Sequence, residues 1–560
     1  MSPALAAALQ LAFVVVVLAV VYVPLGDHMA RVYQGATHSR LERGLYRAAR
    51  IDATTDQTWA GYAGSLLGFT GASIAVLYLL QRVQGVLPLS NGLSGVSPSV
   101  AFNTAVSFVT NTNWQSYVPE TTMGHLTQLI GLTVQNFVSA SVGLAVVVAL
   151  IRGFVRAGGG GLGNFWVDLV RGSLRILLPL SALVAVVLLT QGVVMSLHAS
   201  FAATGLDGAA QRIAVAPVAS QEAIKEIGTN GGGILNANSA HPFENPTPLS
   251  NVVQVIAILV VPVALTRTFG TMVGNVRQGL TLLGVMAALW GALLALATWA
   301  ESHATGVAGR AAGTMLEGKE VRFGIPGSVL FAVSTTGTST GAVNSMHDSA
   351  SAAGGGLYLL NMLFGEIAPG GVGSGLYSML VFAIIAVFVG GLLVGRTPEF
   401  LGKKIGRREI TMAALSVLVM PALVLIGAGV AVALPGTLAA QGNGGDPGTA
   451  SSIHGFSEVL YAYASAANNN GSAFAGITVT SDWFQTSLGL VMLFGRILPI
   501  LFILALAGSL AAQQPTPASA GTLPTTGVLY GALLSGVVVL VSALTFFPAL
   551  ALGPLAEALL

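Results

Sequence analysis

Four short polar segments carry the chemistry this sequence offers: Thr110-Asn111-Thr112-Asn113-Trp114-Gln115, Thr229-Asn230-Gly231-Gly232-Gly233, Ser339-Thr340-Gly341-Ala342 and Asn468-Asn469-Asn470-Gly471-Ser472. Each is rich in glycine or in amide and hydroxyl side chains, and none contains an aspartate or glutamate. Backbone carbonyls freed by such a loop, with Asn, Thr and Ser oxygens beside them, make a neutral oxygen shell that suits a monovalent alkali cation. A divalent ion would want a ring of carboxylates. One Gly/Asn segment is what any turn contains. Four are different, because Asn113, Gly231, Gly341 and Gly471 are separated by 118, 110 and 130 residues, one pattern repeated four times.

The elements that must position these segments are legible too. Each follows a semi-apolar stretch too short to cross a bilayer, at 97–109, 218–228, 326–336 and 455–467. Irregular backbone at membrane depth is tolerated only where it is buried in protein or lines a water-filled cavity. A half-helix ending there aims its negative C-terminal end at the same point, which again favours a cation. Apolar runs of spanning length lie near 3–26, 61–84, 124–151, 173–197, 249–266, 278–300, 356–395, 412–435, 484–510 and 525–552. Composition agrees, since only 8% of the 560 residues are charged, against about 25% in a soluble protein. Mean hydropathy is +0.79. The expected fold is an all-α polytopic membrane protein with ten transmembrane helices. Four units of span, re-entrant pore helix and span surround a pseudo-fourfold pore, at 61–152, 172–270, 276–396 and 412–510. Residues 1–60 hold a first extra span and a basic loop, and 511–560 a last extra span.

Basic residues set the expected orientation. With the N-terminus outside, 16 of the 23 lysines and arginines fall on inside connections: Arg31, Arg40, Arg43, Arg47, Arg50, Arg152, Arg156, Arg171, Arg175, Arg267, Arg277, Arg396, Lys403, Lys404, Arg407 and Arg408. The outside segments hold only Arg212, Lys225, Arg310, Lys319 and Arg322. Both termini and all four polar loops are therefore expected on the outer face. A net charge of +2 implies no polyanionic partner. The absence of cysteine excludes disulfides, iron–sulfur clusters and a thiol nucleophile. His241, His347 and His454 have no metal-ligand spacing, while Asp348, Glu458 and Asp482 fall near the expected pore mouths.

The run 356–395 is too long for one helix, since forty residues would reach about 60 Å. Its middle holds Glu366, Pro369, Gly370 and Gly371 among further glycines, so a break is expected below the third polar segment, where it could gate a pore. Glu366 and Arg496 are ionisable residues within spans, which are costly and usually face a polar interior. Arg496 could set a barrier to back-flow, hold the broken helix, or tie helices together through carbonyls.

Over essentially its whole length the sequence resembles the potassium-binding subunit of bacterial potassium-transporting P-type ATPases, the KdpA family. The stretches that carry the resemblance are 110–115, 225–246 (KEIGTNGGGILNANSAHPFENP), 341–349 (GAVNSMHDS), 370–376 (GGVGSGL), 395–402 (GRTPEFLG) and 466–476 (AANNNGSAFAG). The resemblance implies a fold of the superfamily of potassium transporters, in the bacterial cytoplasmic membrane, with an outward-facing potassium filter. That filter would comprise Asn111, Thr112, Asn113, Thr229, Asn230, Gly231, Ser339, Thr340, Gly341, Asn469, Asn470 and Gly471, with Gln115, Gly232 and Asn238 close by. It further implies K+ as the transported ion, no hydrolysis by this chain, and as partners a P-type ATPase catalytic subunit (KdpB-like) and two small single-span subunits (KdpC-like and KdpF-like). Consistently, the sequence has no G-x-x-x-x-G-K-[ST] loop and no D-K-T-G motif, so no ATP site is expected. A stand-alone potassium channel or ion-coupled symporter of the same fold is the alternative. A membrane enzyme is disfavoured, because no HExxH and no nucleophile–base arrangement is present.

Overall fold

The computed structural model describes residues 3–303, 315–442, 450–517 and 521–560; Arg310 lies outside them. Ten helices among the described residues are long and apolar enough to cross a membrane. Ten had been expected, and the order long helix, short helix, irregular segment, long helix occurs four times. In the first unit the outer, pore and inner helices are Trp59–Val83, Pro98–Val109 and Thr127–Val155. In the second they are Phe165–Thr190, Val218–Ile227 and Pro248–Met272. The third has Val276–Ser302, Gly324–Thr336 and an inner helix in two pieces, Ala352–Leu363 and Ser374–Leu393. The fourth has Arg407–Val432, Ala450–Asn468 and Asp482–Ala512.

Burial separates inner from outer helices. In their most apolar stretch the inner helices are 83, 78, 67 and 56% buried, and the outer ones 28, 28, 33 and 28%. The inner helices and pore helices thus form the core, and the outer helices present apolar side chains as a lipid solvent requires. Helix Pro3–Gln34 stands outside the four units and packs on Pro248–Met272, where Thr268 Oγ1 donates to the Gly26 carbonyl at 3.0 Å. Helix Val528–Leu552, the other extra, packs on Val276–Ser302 and on Ser374–Leu393, with the Tyr530 hydroxyl donating to the Ala383 carbonyl at 3.0 Å.

Several boundaries differ from those read in the sequence, and one physical reason accounts for the helices that run longer. Hydropathy ends a span at the first charge, whereas a helix runs on when that charge is paired. The first helix continues past 26 to Gln34 because Asp27 meets Arg267 at 2.8 Å. The fourth span starts at Phe165 and ends at Thr190, not at 173 and 197. Asn164 caps it by accepting from the Trp166 and Val167 amides, and Asp168 near its start holds Arg152 in two hydrogen bonds of 2.5 and 2.9 Å. Arg31, Arg152, Arg171, Arg175 and Arg267 are accordingly helix residues and not loop residues, with Arg175 paired to Glu42. Two antiparallel hairpins interrupt the helices among the described residues: Ser200–Thr204 with Ala210–Ala214, which turns at Gly208 (φ 80°), and the short pair Glu399–Phe400 with Lys403–Lys404.

Candidate functional site

All four pore helices end in the same way. The amides of Thr112, Asn230, Thr340 and Asn470 each reach back five residues to the carbonyls of Ser107, Lys225, Thr335 and Ser465, at 2.8–3.2 Å. The residue before each of these amides is left-handed: Asn111 (φ 70°), Thr229 (48°), Ser339 (52°) and Asn469 (60°). Non-glycine residues rarely adopt this conformation, and a side chain other than asparagine there costs on the order of 1–2 kcal/mol. Four occurrences at one register position mark a built feature. The backbone turns sharply out of each helix, and the segment that follows runs in an irregular conformation.

The four segments meet. A Cβ placed on Gly231 would lie 2.9 Å from the Thr340 carbonyl oxygen and 3.0 Å from that of Thr112. One on Gly341 would overlap the Asn470 carbonyl, and one on Gly471 the Thr112 carbonyl. First touches second, second touches third, third touches fourth and fourth touches first, so the ring closes. Glycine is required here by close approach as well as by conformation, since Gly341 has φ 78° and Gly471 φ 106°.

The sequence-expected residues Asn111, Thr112, Asn113, Thr229, Asn230, Ser339, Thr340, Asn469 and Asn470 are all 4% exposed or less. Their amide side chains bond across the seams. Asn111 Nδ2 donates to the Thr229 carbonyl at 2.9 Å, and Asn230 Nδ2 to Asn113 Oδ1 at 3.1 Å. Asn469 Nδ2 donates to Thr112 Oγ1 at 2.9 Å, and Asn470 Nδ2 to the Thr335 carbonyl at 3.1 Å. Through these amide nitrogens the four asparagines brace neighbouring units against one another. Gln115 braces the first seam further out, donating to the Gly233 carbonyl at 3.1 Å and accepting from the Gly233 amide at 2.9 Å. Asn238 donates to the Gly232 carbonyl. The inner-helix residues Asn136 and Ser139, which hold Asn113 and Asn111, were not recognised in the sequence. Nothing in a hydropathy pattern marks them except their polarity within an apolar run.

The expected break in the third inner helix is present at residues 364–373. Here Gly365, Glu366, Gly370 and Gly373 are all left-handed, with φ between 51° and 87°. The segment touches three units, and Arg496 of the fourth comes close. The Gly370 amide donates to the Gly337 carbonyl at 2.8 Å, and the Val372 amide to Thr229 Oγ1 at 2.9 Å. Gly371 lies so near the third segment that a Cβ would be 2.9 Å from the Thr338 carbonyl. A Cβ on Gly143 of the first inner helix would overlap the Val372 carbonyl and sit 3.3 Å from Arg496 Nη2. The Glu366 carboxylate accepts from Ser339 Oγ, which ties the loop to the third segment, and the Pro369 carbonyl packs on Gly375. Arg496, 6% exposed, opens onto a cavity of about 90 Å³ that Ser339, Asn469, Gly365 and Tyr377 also line. Its Nη1 is 3.4 Å from the Tyr377 hydroxyl, and Nη2 has no hydrogen-bond partner among the described residues. The space is large enough for a few waters.

Comparison with known proteins shows the family. The model of the family "Potassium-transporting ATPase A subunit" matches residues 12–559. The chain belongs to this family. It is 74% identical over 560 residues to the potassium-transporting ATPase potassium-binding subunit of Nocardia farcinica, covering 100% of both chains. Proteins of the same description in Rhodococcus opacus and Streptomyces coelicolor are 72% identical over 560 residues and 56% identical over 559, again with 100% of both chains covered. Among solved structures the chain is similar to the potassium transporter TrkH from Vibrio parahaemolyticus, with a TM-score of 0.51 and 14% identity over 78% of this chain and 84% of that one. At that identity the likeness shows the fold alone.

The three acidic residues expected near the pore mouths differ in their surroundings. Glu458 is fully buried and accepts from the Gly442 amide at 2.9 Å. Asp348 sits 3.0 Å from His454 Nε2, and Glu557 2.8 Å from its Nδ1. Ligand atoms of Asp348, His454 and Glu458 lie within 4.8 Å of one another, so this histidine, scattered in sequence, is clustered in space. Asp482 is exposed at the start of the fourth inner helix.

Proposed function

We propose that this chain is the potassium-binding subunit of an ATP-driven potassium uptake complex, and that the closed ring of segments around Asn113, Gly231, Gly341 and Gly471 is its filter. The observation that carries this reading is the ring itself. Four helix ends turn their carbonyl-bearing backbone into one neutral, buried girdle. Such a girdle replaces the hydration shell of a monovalent cation and offers no carboxylate to a divalent one. The names of the relatives support potassium as the cargo and an ATPase as the complex. The filter faces outward in the bacterial cytoplasmic membrane, following the distribution of basic residues. The units run over 61–152, 172–270, 276–396 and 412–510. Hydrolysis belongs to a P-type catalytic subunit, with two small single-span subunits completing the complex.

Loop 364–373 lies against the second and third segments, and a cation that has passed the ring meets this loop and the side cavity that Arg496 lines. The unpaired guanidinium edge opposes a cation moving back, and the glycines let the loop yield. Purifying the chain with its catalytic subunit tests the proposal: potassium-stimulated ATP hydrolysis is expected. Potassium flux through liposomes holding this chain alone would overturn it in favour of a channel.

A further inference from the structure

Behind the second filter segment lies a buried set of charges. Lys225, in the last turn of the pore helix Val218–Ile227, is fully buried. Its ammonium lies 2.6 Å from Glu222 Oε2, 3.2 Å from Glu244 Oε2 and 3.7 Å from Glu226 Oε1. It also donates to Asn238 Oδ1 at 3.1 Å and to Ser239 Oγ at 3.2 Å. A buried ion cluster contributes little net stability, because desolvation offsets the attraction. Its geometry shows what else it does.

Asn238 is left-handed (φ 53°), and both ends of its amide are engaged with filter backbone. Nδ2 donates to the Gly232 carbonyl in the second segment. Oδ1, besides receiving the ammonium, accepts at 3.1 Å from the amide of Val343, two residues beyond Gly341 of the third segment. Glu244 acts in parallel, since Oε1 accepts from the Leu235 amide at 2.9 Å while Oε2 meets the ammonium. The strand leaving the second segment is thus held by Gln115 on one side and by Asn238 and Glu244 on the other, and Lys225 is the one group that fixes both of the latter.

We infer that Lys225 is a positioning residue for ion selection, acting through Asn238 to fix the Gly232 carbonyl of the second filter segment and the Val343 amide of the third. The inference rests on the reading of these segments as the filter. Three carboxylates face the ammonium, so the lysine sets geometry without repelling the cation at the ring. Without it, Asn238 Oδ1 loses its charged donor and the amide turns away from Gly232.

The test uses the assembled complex and compares the KM for Rb+ with that for K+ in ion-stimulated ATP hydrolysis. Lys225→Met combined with Glu222→Gln removes one charge of each sign. Its Rb+/K+ KM ratio is expected to fall by roughly tenfold, the scale of one lost charge-assisted hydrogen bond, with a smaller change in maximal rate. A complex that assembles with an unchanged ratio overturns the inference, because a merely structural cluster would lower only yield and rate. If that variant does not assemble, Asn238→Ala removes the intermediary alone, and an unchanged ratio there overturns it equally. Gly231→Asp separates the two levels. Discrimination lost in Gly231→Asp but kept in the Lys225 variant refutes the role of Lys225 alone, whereas discrimination kept in Gly231→Asp refutes the filter assignment itself.

Discussion

Gly341→Ala is the sharpest probe of the ring. Gly341 has φ 78°, and alanine in that region costs roughly 1–2 kcal/mol. The new methyl would overlap the Asn470 carbonyl and come within 2.9 Å of the Gly471 Cα, both backbone atoms that cannot swing aside. Overpacking of that kind costs roughly 1–3 kcal/mol. The sum, roughly 2–5 kcal/mol, is relieved by parting the third segment from the fourth, which opens one seam of the ring. If half of it is felt only in the ion-bound state, potassium affinity falls by roughly 5- to 70-fold. The assay is the KM for K+ in ATP hydrolysis by the assembled complex, with Na+ and Rb+ as competitors. Gly231→Ala should be milder, since Gly231 is not left-handed and its methyl would stand 2.9–3.0 Å from two carbonyls. Gly68→Ala should do nothing, because no atom lies within 4 Å of that position. An unchanged KM in Gly341→Ala, or a larger effect at Gly68, would refute the reasoning.

Other perturbations reach other parts of the path. Arg496→Met should let Rb+ leak through the reconstituted complex without ATP, as the unpaired edge of the guanidinium is lost from the cavity; a tight variant leaves Arg496 only a structural part. Asn469→Ala frees Thr112 Oγ1 and the Met492 carbonyl, held at 2.9 and 2.8 Å, and should lower the thermal stability of the complex by about 1–3 kcal/mol, read from its unfolding curve. His454 is pushed up to about 10, because its hydrogen bonds to Asp348 and Glu557 outweigh the burial that disfavours its charge, with Glu458 on the same helix beside it. A raised histidine pKa gives stability that is complete below its ordinary value of about 6.5 and is lost as pH rises through about 10. The Tm gap between the parent and His454→Gln should therefore be full up to about pH 6.5, narrow steadily above it and close only near 10, and a gap already closed at neutrality would contradict it.

Much of this protein was legible without coordinates. The spans, the four short helices and the broken third inner helix follow from lengths of apolar sequence and from glycine and proline within them. Lipid imposes such one-dimensional rules, since backbone must satisfy itself within each segment. The register of the four polar segments was also readable, because spacing survives in sequence even when identity does not.

What only the tertiary structure decided is how those segments use their side chains. Sequence alone could not show that Asn111, Asn230, Asn469 and Asn470 donate across seams to neighbouring units. Nor could it show that Lys225 stands behind Gly232, that loop 364–373 reaches Thr229 and Gly143, or that His454 meets Asp348 and Glu557 more than a hundred positions away in either direction. The reason is the same in each case. Composition and periodicity fix which residues enter the membrane and as what element, but a closed ring is a set of contacts between units over a hundred residues apart, and those are fixed only when the four units pack.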